Sequence, residues 1–178
     1  ADGYARMAEK PAATLLHLGP GLGNGFANLH NAKRARTPMV NIVGDHATYH
    51  LRHDAPLTSD IVSIASPVSH WIKSSESALR VATDGAEAIA AANSVAGQIA
   101  TLILPANTAW DEARGPAVTP APTPLATVTD DRITAVAELL RKHGSSCLLL
   151  IGGNTLRQSG QLAAARISAK TGADLMTP

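Results

Sequence analysis

Short apolar runs alternate with alanine-rich or amphipathic stretches along the first hundred residues. The runs at 13–18, 38–45 ("PMVNIVGD"), 68–74 ("VSHWIKS") and 99–105 ("IATLILP") are brief, and most are closed by glycine or proline. Runs of that length and punctuation predict strands. Between them, "ADGYARMAEK" reads as a helix stopped by Lys10-Pro11, and a helical stretch is expected from about Asn24 to Arg36. "SDIVSIA" (59–65) predicts a short helix capped by Ser59, and "DGAEAIAAANSVAG" (84–97) an alanine-rich helix with Gly97 at its end. The strand runs are continuous rather than alternating in polarity, as in strands buried on both sides. The expected fold class is therefore α/β, a parallel sheet with helices on both faces.

The pattern breaks at "GPAVTPAPTPLAT" (115–127), where four prolines and small uncharged residues favour an extended linker. A second strand–helix pattern follows: a helix over 130–144, a strand over 147–153, a helix over 156–172 and the start of a strand over 173–177. Two strands and two helices are too few to close a separate sheet. The expected organisation is a first domain over 1–114, a linker over 115–128 and the beginning of a second α/β domain over 129–178.

Composition narrows the function classes. A formal net charge of +1 argues against nucleic acid as a partner, because phosphate neutralisation needs a surplus of Lys and Arg. A single cysteine, Cys147, rules out an intrachain disulfide framework and fits a reducing, cytoplasmic setting. No run approaches the ~20 apolar residues that span a bilayer, so no membrane is expected as a partner. "ADGYAR" has no capping residue ahead of it, which suggests that the chain begins inside an element and is a piece of something larger.

Residues 19–25 hold four glycines and a proline, directly after a strand that carries His17. Strand, glycines and helix can bring backbone N–H groups toward an anion or a flat ring; they can equally form a tight turn with glycines for packing. The dinucleotide spacing fails, since the sixth position is Asn24 counted from Gly19 and Phe26 counted from Gly21, and no Gly-Lys-Ser/Thr follows. His17 has two readings as well, a hydrogen-bonded core residue or, at the carboxyl end of a strand, a group placed to exchange protons with a substrate. "GDHATYHLRHD" (44–54) reads as a solvated or substrate-facing loop in preference to a metal site: His46 and His50 are four apart, but the glutamate of H-E-x-x-H is missing, and Asp45, His53 and Asp54 would have to complete the ligands.

Taken in order, "ADGYAR", "LLHLGPGLGN", "PMVNIVGD" and "QIATLILPANTAWDEA" resemble the pyrimidine-binding domain of thiamine-diphosphate-dependent enzymes of the acetolactate synthase and benzoylformate decarboxylase type. The resemblance spans the chain, with 1–114 similar to most of that domain and 129–178 to the start of the family's middle domain. It implies thiamine diphosphate, with Mg2+, bound between the pyrimidine domain of one subunit and the diphosphate domain of its partner, hence a homodimer or homotetramer. It implies a 2-keto acid substrate that is decarboxylated, ligated to a second carbonyl compound, or both; FAD is left unassigned. By position, Gly19, Pro20 and Gly21 would lie against the pyrimidine ring and Asn24 would anchor the helix that follows. His17 matches the L-H-x-x-x-G-x-x-N of the benzoylformate decarboxylase type, where the histidine faces the substrate and takes part in proton transfer. Acetolactate synthases usually lack it, while Gly19-Pro20-Gly21 leans toward them; the resemblance implies an acetolactate-synthase-like enzyme, with a benzoylformate-decarboxylase-like decarboxylase as the alternative. The family's frequent Gly-Gln is replaced here by Gly44-Asp45-His46, making Asp45 and His46 substrate-loop candidates.

The family's activating glutamate would fall roughly two helical turns before "ADGYAR", and Glu9 is on the wrong side of that motif. The Gly-Asp-Gly…Asn magnesium motif does not occur, since "GGN" (152–154) lacks its aspartate, so no metal ligand is assigned. The 178 residues alone are therefore expected to be inactive. The competing readings are an α/β module that has lost the chemistry and, disfavoured by the failed spacings, a nucleotide-binding domain.

Overall fold

A computed structural model describes residues 1–94, 97–121, 124 and 126–177. They fall into two compact units, Ala1–Leu125 and Ala126–Pro178.

The first unit contains helix α1 (Asp2–Ala8), strand β1 (Ala12–His17), helix α2 (Leu18–Arg34), strand β2 (Met39–Asp45), helix α3 (Ile61–Ala65), strand β3 (Trp71–Ser74), helix α4 (Ala78–Ala92) and strand β4 (Ile99–Pro105). All four strands are parallel, in the order β1-β2-β4-β3. The central strands β2 and β4 are buried along most of their length, which is why their sequences read as unbroken apolar runs. Edge strand β1 alternates instead, with Leu16 turned to the core and Leu15 79% exposed.

Helices cover both faces, as the apolar pattern predicts. On one face, Leu22 and Leu29 of α2, Ile61 of α3 and Val68 pack on Val43, Ile99 and Ile103. On the other, Ala88 and Ala92 of α4 pack on Val40, Ala100 and Leu102. Burying each large aliphatic side chain contributes about 1.5–3 kcal/mol, and the α2/α3 face holds most of them. Beneath α2 and α3 a polar chain crosses the sheet. Thr14 Oγ1 donates to Asn41 Oδ1 (2.7 Å), Asn41 Nδ2 donates to Thr101 Oγ1 (3.3 Å), and the Thr101 and Ser69 hydroxyls are bonded at 2.6 Å. Strand register places Thr14, Asn41 and Thr101 abreast, so each of these three side chains finds a partner.

The "ADGYAR" segment is held by Asp2. Its carboxylate accepts two hydrogen bonds from Arg6, at 2.9 and 3.0 Å, and one from Thr37 Oγ1 at 2.6 Å, which ties α1 to the turn before β2.

Several elements differ from expectation. The strand expected over 68–74 begins only at Trp71, because Val68 and Ser69 N–H both donate to Ala65 O in the turn that leaves α3, and the strand expected over 147–153 is confined to Leu148–Leu150. Helix α2 begins at Leu18, not near Asn24, so the glycine-rich residues are its first two turns rather than a loop. Pro20 is compatible with this because it is the third helical residue, where no intrahelical N–H bond is lost. Helix α3 is capped by Asp60, whose side chain accepts from Ser63 N–H at 3.0 Å, rather than by Ser59. Helix α4 starts at Ala78, six residues before the expected start, and ends at Ala92; positions 95 and 96 of the expected helix lie outside the described residues. Its polar first half is drawn in by Asp84. That carboxylate is 1% exposed and meets Lys73 Nζ at 2.8 Å, Ser75 Oγ at 2.8 Å and Arg80 at 3.4 Å.

From Asp111 to Thr129 the described residues form neither helix nor strand; positions 122, 123 and 125 of the expected linker lie outside them. The second unit contains helix α5 (Asp130–His143), strand β5 (Leu148–Leu150), helix α6 (Gln158–Thr171) and strand β6 (Asp174–Met176). Its two strands pair in parallel, Leu148 opposite Asp174.

Candidate active site

Parallel register brings three strand ends abreast: His17 lies opposite Gly44, Gly44 opposite Leu104, and Asp45 opposite Pro105. A cavity of about 700 Å³ opens over these carboxyl ends, the usual place for ligands of open α/β sheets. Leu15, His17, Ile42, Gly44 and Leu104 line its floor from the sheet face that carries α4, and Val81 of α4 contributes a wall. Residues 46–57 and the 3-10 turn Ala106–Ala109 enclose the rest. Thr48 N–H donates to Asn107 Oδ1 at 2.9 Å and fastens the two segments together.

His17 is the last residue of β1, and the chain turns from strand to helix at one residue, Leu18, with φ 56°. The left-handed region costs a branched residue about 1–2 kcal/mol, and burial of the Leu18 side chain offsets it. His17 occupies the N-cap position of α2 but makes no capping bond. Its imidazole is exposed, lines the cavity and has no hydrogen-bond partner among the described residues. It is thus not a hydrogen-bonded core histidine.

Asp45 and His46 line the same cavity. Asp45 Oδ1 accepts from His46 N–H at 2.7 Å, which fixes the carboxylate at the end of β2. His46 Nε2 is buried and has no partner among the described residues; an unpaired buried polar atom costs about 1–3 kcal/mol, which a ligand could relieve. The His46 ring lies 5.5 Å from that of His50, which lies 5.4 Å from that of His53. No three His, Cys, Asp or Glu side chains among the described residues are arranged to hold a metal ion.

Gly19, Pro20, Gly21 and Asn24 do not line this cavity. They belong to α2, which covers the opposite face of the sheet. Gly19 is buried against Ser59, and a Cβ there would strike the Ser59 side chain, so packing alone demands glycine at that position. Gly21 lies against the end of β1, where a Cβ would meet His17 Cβ at 3.4 Å. Pro20 and Asn24 are exposed. The structure therefore unites His17, Asp45 and His46 and leaves the glycine-rich turns beside them, past the strand end. Tyr49 and Trp110, 63% and 64% exposed on the rim, were not singled out in the sequence. Trp110 follows the end of β4 by five residues, and that position is the one signal that could have found it.

The lining suits an uncharged ring or a small carbonyl compound more than a phosphate. It is largely apolar, three imidazoles and one carboxylate supply its ionisable side chains alongside the Tyr49 phenol, and no lysine or arginine lines it among the described residues.

Residues 1–64 match the family described as thiamine pyrophosphate enzyme, N-terminal TPP binding domain. Over 174 residues the chain is 56% identical to a candidate acetolactate synthase large subunit, IlvX, of Mycobacterium tuberculosis, covering 97% of this chain and 33% of that protein. A solved structure of a candidate thiamin diphosphate-dependent enzyme from Mycobacterium smegmatis superposes with a TM-score of 0.80 at 27% identity, over 99% of this chain and 34% of that one. A thiamine diphosphate-dependent 4-hydroxybenzoylformate decarboxylase of Rhodococcus jostii RHA1 shares the fold, with a TM-score of 0.85 at 20% identity over 99% of this chain and 34% of that one. The chain thus spans about a third of the length of these relatives. Family match, relative and fold agree that residues 1–64 are similar to the N-terminal cofactor-binding domain of the thiamine-diphosphate-dependent enzymes, and that the chain as a whole resembles about a third of such an enzyme.

Proposed function

We propose that this chain supplies one side of a thiamine diphosphate site in an acetolactate-synthase-like enzyme that decarboxylates a 2-keto acid, ligates it to a second carbonyl compound, or both. The 56% identity to a candidate acetolactate synthase large subunit, sustained over 97% of the chain, carries this reading. Thiamine diphosphate, when bound, supplies carbanion chemistry at its thiazolium ring, and the protein supplies orientation and proton transfer. In this reading the first turns of α2 face the aminopyrimidine: Pro20 and Asn24 are exposed there, Gly21 keeps the backbone bare, and Gly19 seats the helix on Ser59. The diphosphate is held elsewhere, in keeping with a cavity lined by no cationic lysine or arginine among the described residues. Magnesium finds no ligand set among the described residues, and no step is assigned to it.

His17 is the proton-transferring group of this reading. Its imidazole is unencumbered at the strand ends, and a neutral imidazole carries both a proton donor and a proton acceptor. Asp45 and His46 bind the substrate, whose oxygen would satisfy the buried His46 Nε2. Tyr49, Leu57 and Trp110 form an exposed apolar rim, the kind of surface that a partner subunit covers in a shared site. A benzoylformate-decarboxylase-like activity is the second reading, and one observation favours it: a histidine stands at the end of β1.

The test is turnover of pyruvate and of benzoylformate, with thiamine diphosphate and Mg2+, by a protein of the relatives' full length that contains this chain. Acetolactate from pyruvate is the expected product, and benzaldehyde from benzoylformate would favour the second reading. His17→Ala should lower kcat about 10²-fold or more while cofactor affinity changes little. An unchanged kcat would remove His17 from the chemistry. Absence of turnover on any 2-keto acid, with thiamine diphosphate bound, would defeat the proposal.

A further inference from the structure

At the opposite, amino end of the strands lies a second cavity of about 570 Å³. Five of its lining residues are basic: His30, Lys33 and Arg34 from the last turns of α2, Arg36 just beyond it, and His70 just before β3. No acidic residue lines it among the described residues. Lys33 and Arg34 have an ordinary structural explanation, since cations at a helix C-terminus complement the helix dipole. His70 has one on a single side of its ring, where Nδ1 meets Ile99 N–H, and the Arg36 side chain has none. Arg36 lies outside the helix with φ 53°, a left-handed backbone that a non-glycine residue adopts only at a cost. Gly97 packs on its carbonyl oxygen so closely that a Cβ there would collide, which holds the turn in place.

Each basic group is oriented or left available. Lys33 Nζ donates to Pro67 O at 2.8 Å, which fixes its ammonium beside another lining residue. His70 Nδ1 accepts from Ile99 N–H at 3.4 Å, so a neutral His70 carries its proton on Nε2 and can donate it. The Arg34 and Arg36 side chains have no ion pair or hydrogen bond among the described residues. Partial burial pushes the His70 imidazole below its usual value, and the positive charges of Lys33 and Arg36 push it further. Like charges thus face one another across a concavity of small-molecule size, and apart from the C-terminal dipole of α2 no acidic side chain among the described residues lines it to balance them.

We propose that this pocket binds a compact phosphate-bearing anion of the pyrophosphate type, held by the Arg34 and Arg36 guanidinium groups, the Lys33 ammonium and a proton-donating His70. Guanidinium groups match phosphate oxygens in a bidentate way that water does not reproduce. A concave pocket on a chain of net charge +1 suits a small anion better than a nucleic acid, which needs an extended basic track. The proposal is independent of the reading given for the strands' carboxyl ends, because it concerns the other end of the sheet.

The experiment uses the full chain and inorganic pyrophosphate in 150 mM KCl, with the His70 ring protons followed by NMR as pH is varied. Saturable binding is expected, with a rise in the His70 pKa in the complex because the anion stabilises the imidazolium. Replacing both arginines (Arg34→Gln with Arg36→Gln) should weaken binding at least tenfold, while Arg114→Gln, exposed elsewhere, should leave it unchanged. A response that never saturates, an unmoved His70 pKa at saturation, or equal binding by the double variant would overturn the proposal. Should the double variant fail to fold, the wild-type His70 titration decides by itself.

Discussion

Leu18 and Gly19 show how two adjacent residues set a site. Leu18 turns the chain from strand to helix in a single left-handed step, so no loop separates His17 from the helix. Gly19 then lets that helix settle on Ser59. The four glycines of residues 19–25 are therefore not equivalent, although in sequence they look alike. Glycine costs a helix about 1 kcal/mol relative to alanine. At Gly23 nothing lies within 4 Å of a new Cβ, so Gly23→Ala should raise stability by up to about 1 kcal/mol. At Gly19 the collision with Ser59 outweighs that gain, because overpacking typically costs 1–3 kcal/mol, and Gly19→Ala should lower stability by about 1–2 kcal/mol. Urea unfolding of the two variants reads the opposite signs directly. Equal shifts would mean that the Ser59 contact is not what requires glycine at position 19.

At the scale of elements, what was legible in the sequence was whatever short-range pattern determines. Strand β4 has its expected bounds because an unbroken apolar run ends on a proline. The place of His17 at a strand's carboxyl end, beside Asp45 and His46, follows from strand ends alone. The start of helix α2 is hidden in the sequence because Gly and Pro signal loops, while the first turn of a helix tolerates both. The Thr14–Asn41–Thr101–Ser69 chain was invisible because it depends on strand pairing. The early start of α4 is hidden for the same kind of reason, since Asp84 is polar in sequence and buried where Lys73 on β3 meets it. That pair also has a pH signature. Burial alone would raise the Asp84 carboxyl, but the Lys73 and Ser75 hydrogen bonds, with Lys73 and Arg80 charge, hold it below its usual 3.8. A depressed acid stabilises the fold above its unfolded pKa, and this contribution is lost as pH falls below about 4 through the folded value. Lys73 is shifted the other way, raised above 10.5 by hydrogen bonds to Asp84 and Glu87, so its contribution disappears only in alkali beyond that value. Asp84→Asn should cost about 2 kcal/mol at pH 7, at the low end for a broken pair because Lys73 stays partly hydrated and keeps Glu87. It should also flatten the acid limb of a stability–pH curve between pH 5 and 2. An acid limb as steep as that of the wild type would assign the acid sensitivity to other carboxylates.

Across the whole molecule, core is distributed very unevenly between the two units. In the first, ten buried apolar residues form one cluster between the sheet and α2 and α3, and α4 closes the other face. In the second, Leu140, Ala164 and Ala173 are the buried apolar residues among those described, and only Leu140 is large. Its two-stranded parallel sheet leaves Leu148, Leu150, Leu175 and Met176 between 40% and 67% exposed, and Ile133, Val136 and Leu139 of α5 are more than half exposed. Two strands without a covered face are marginal in water, and parallel pairing is slightly weaker per residue than antiparallel. Local opening free energy follows buried apolar contact, so protection against hydrogen exchange should differ sharply along the chain. The amides of Val43 and Leu102, in strands buried on both faces, should exchange only through global unfolding. Those of Leu149 and Leu175, in β5 and β6, should exchange at least 10²-fold faster under native conditions, and urea should expose residues 126–178 before the first unit. Equal protection of the two pairs would show that the exposed leucines of β5 and β6 are covered in solution.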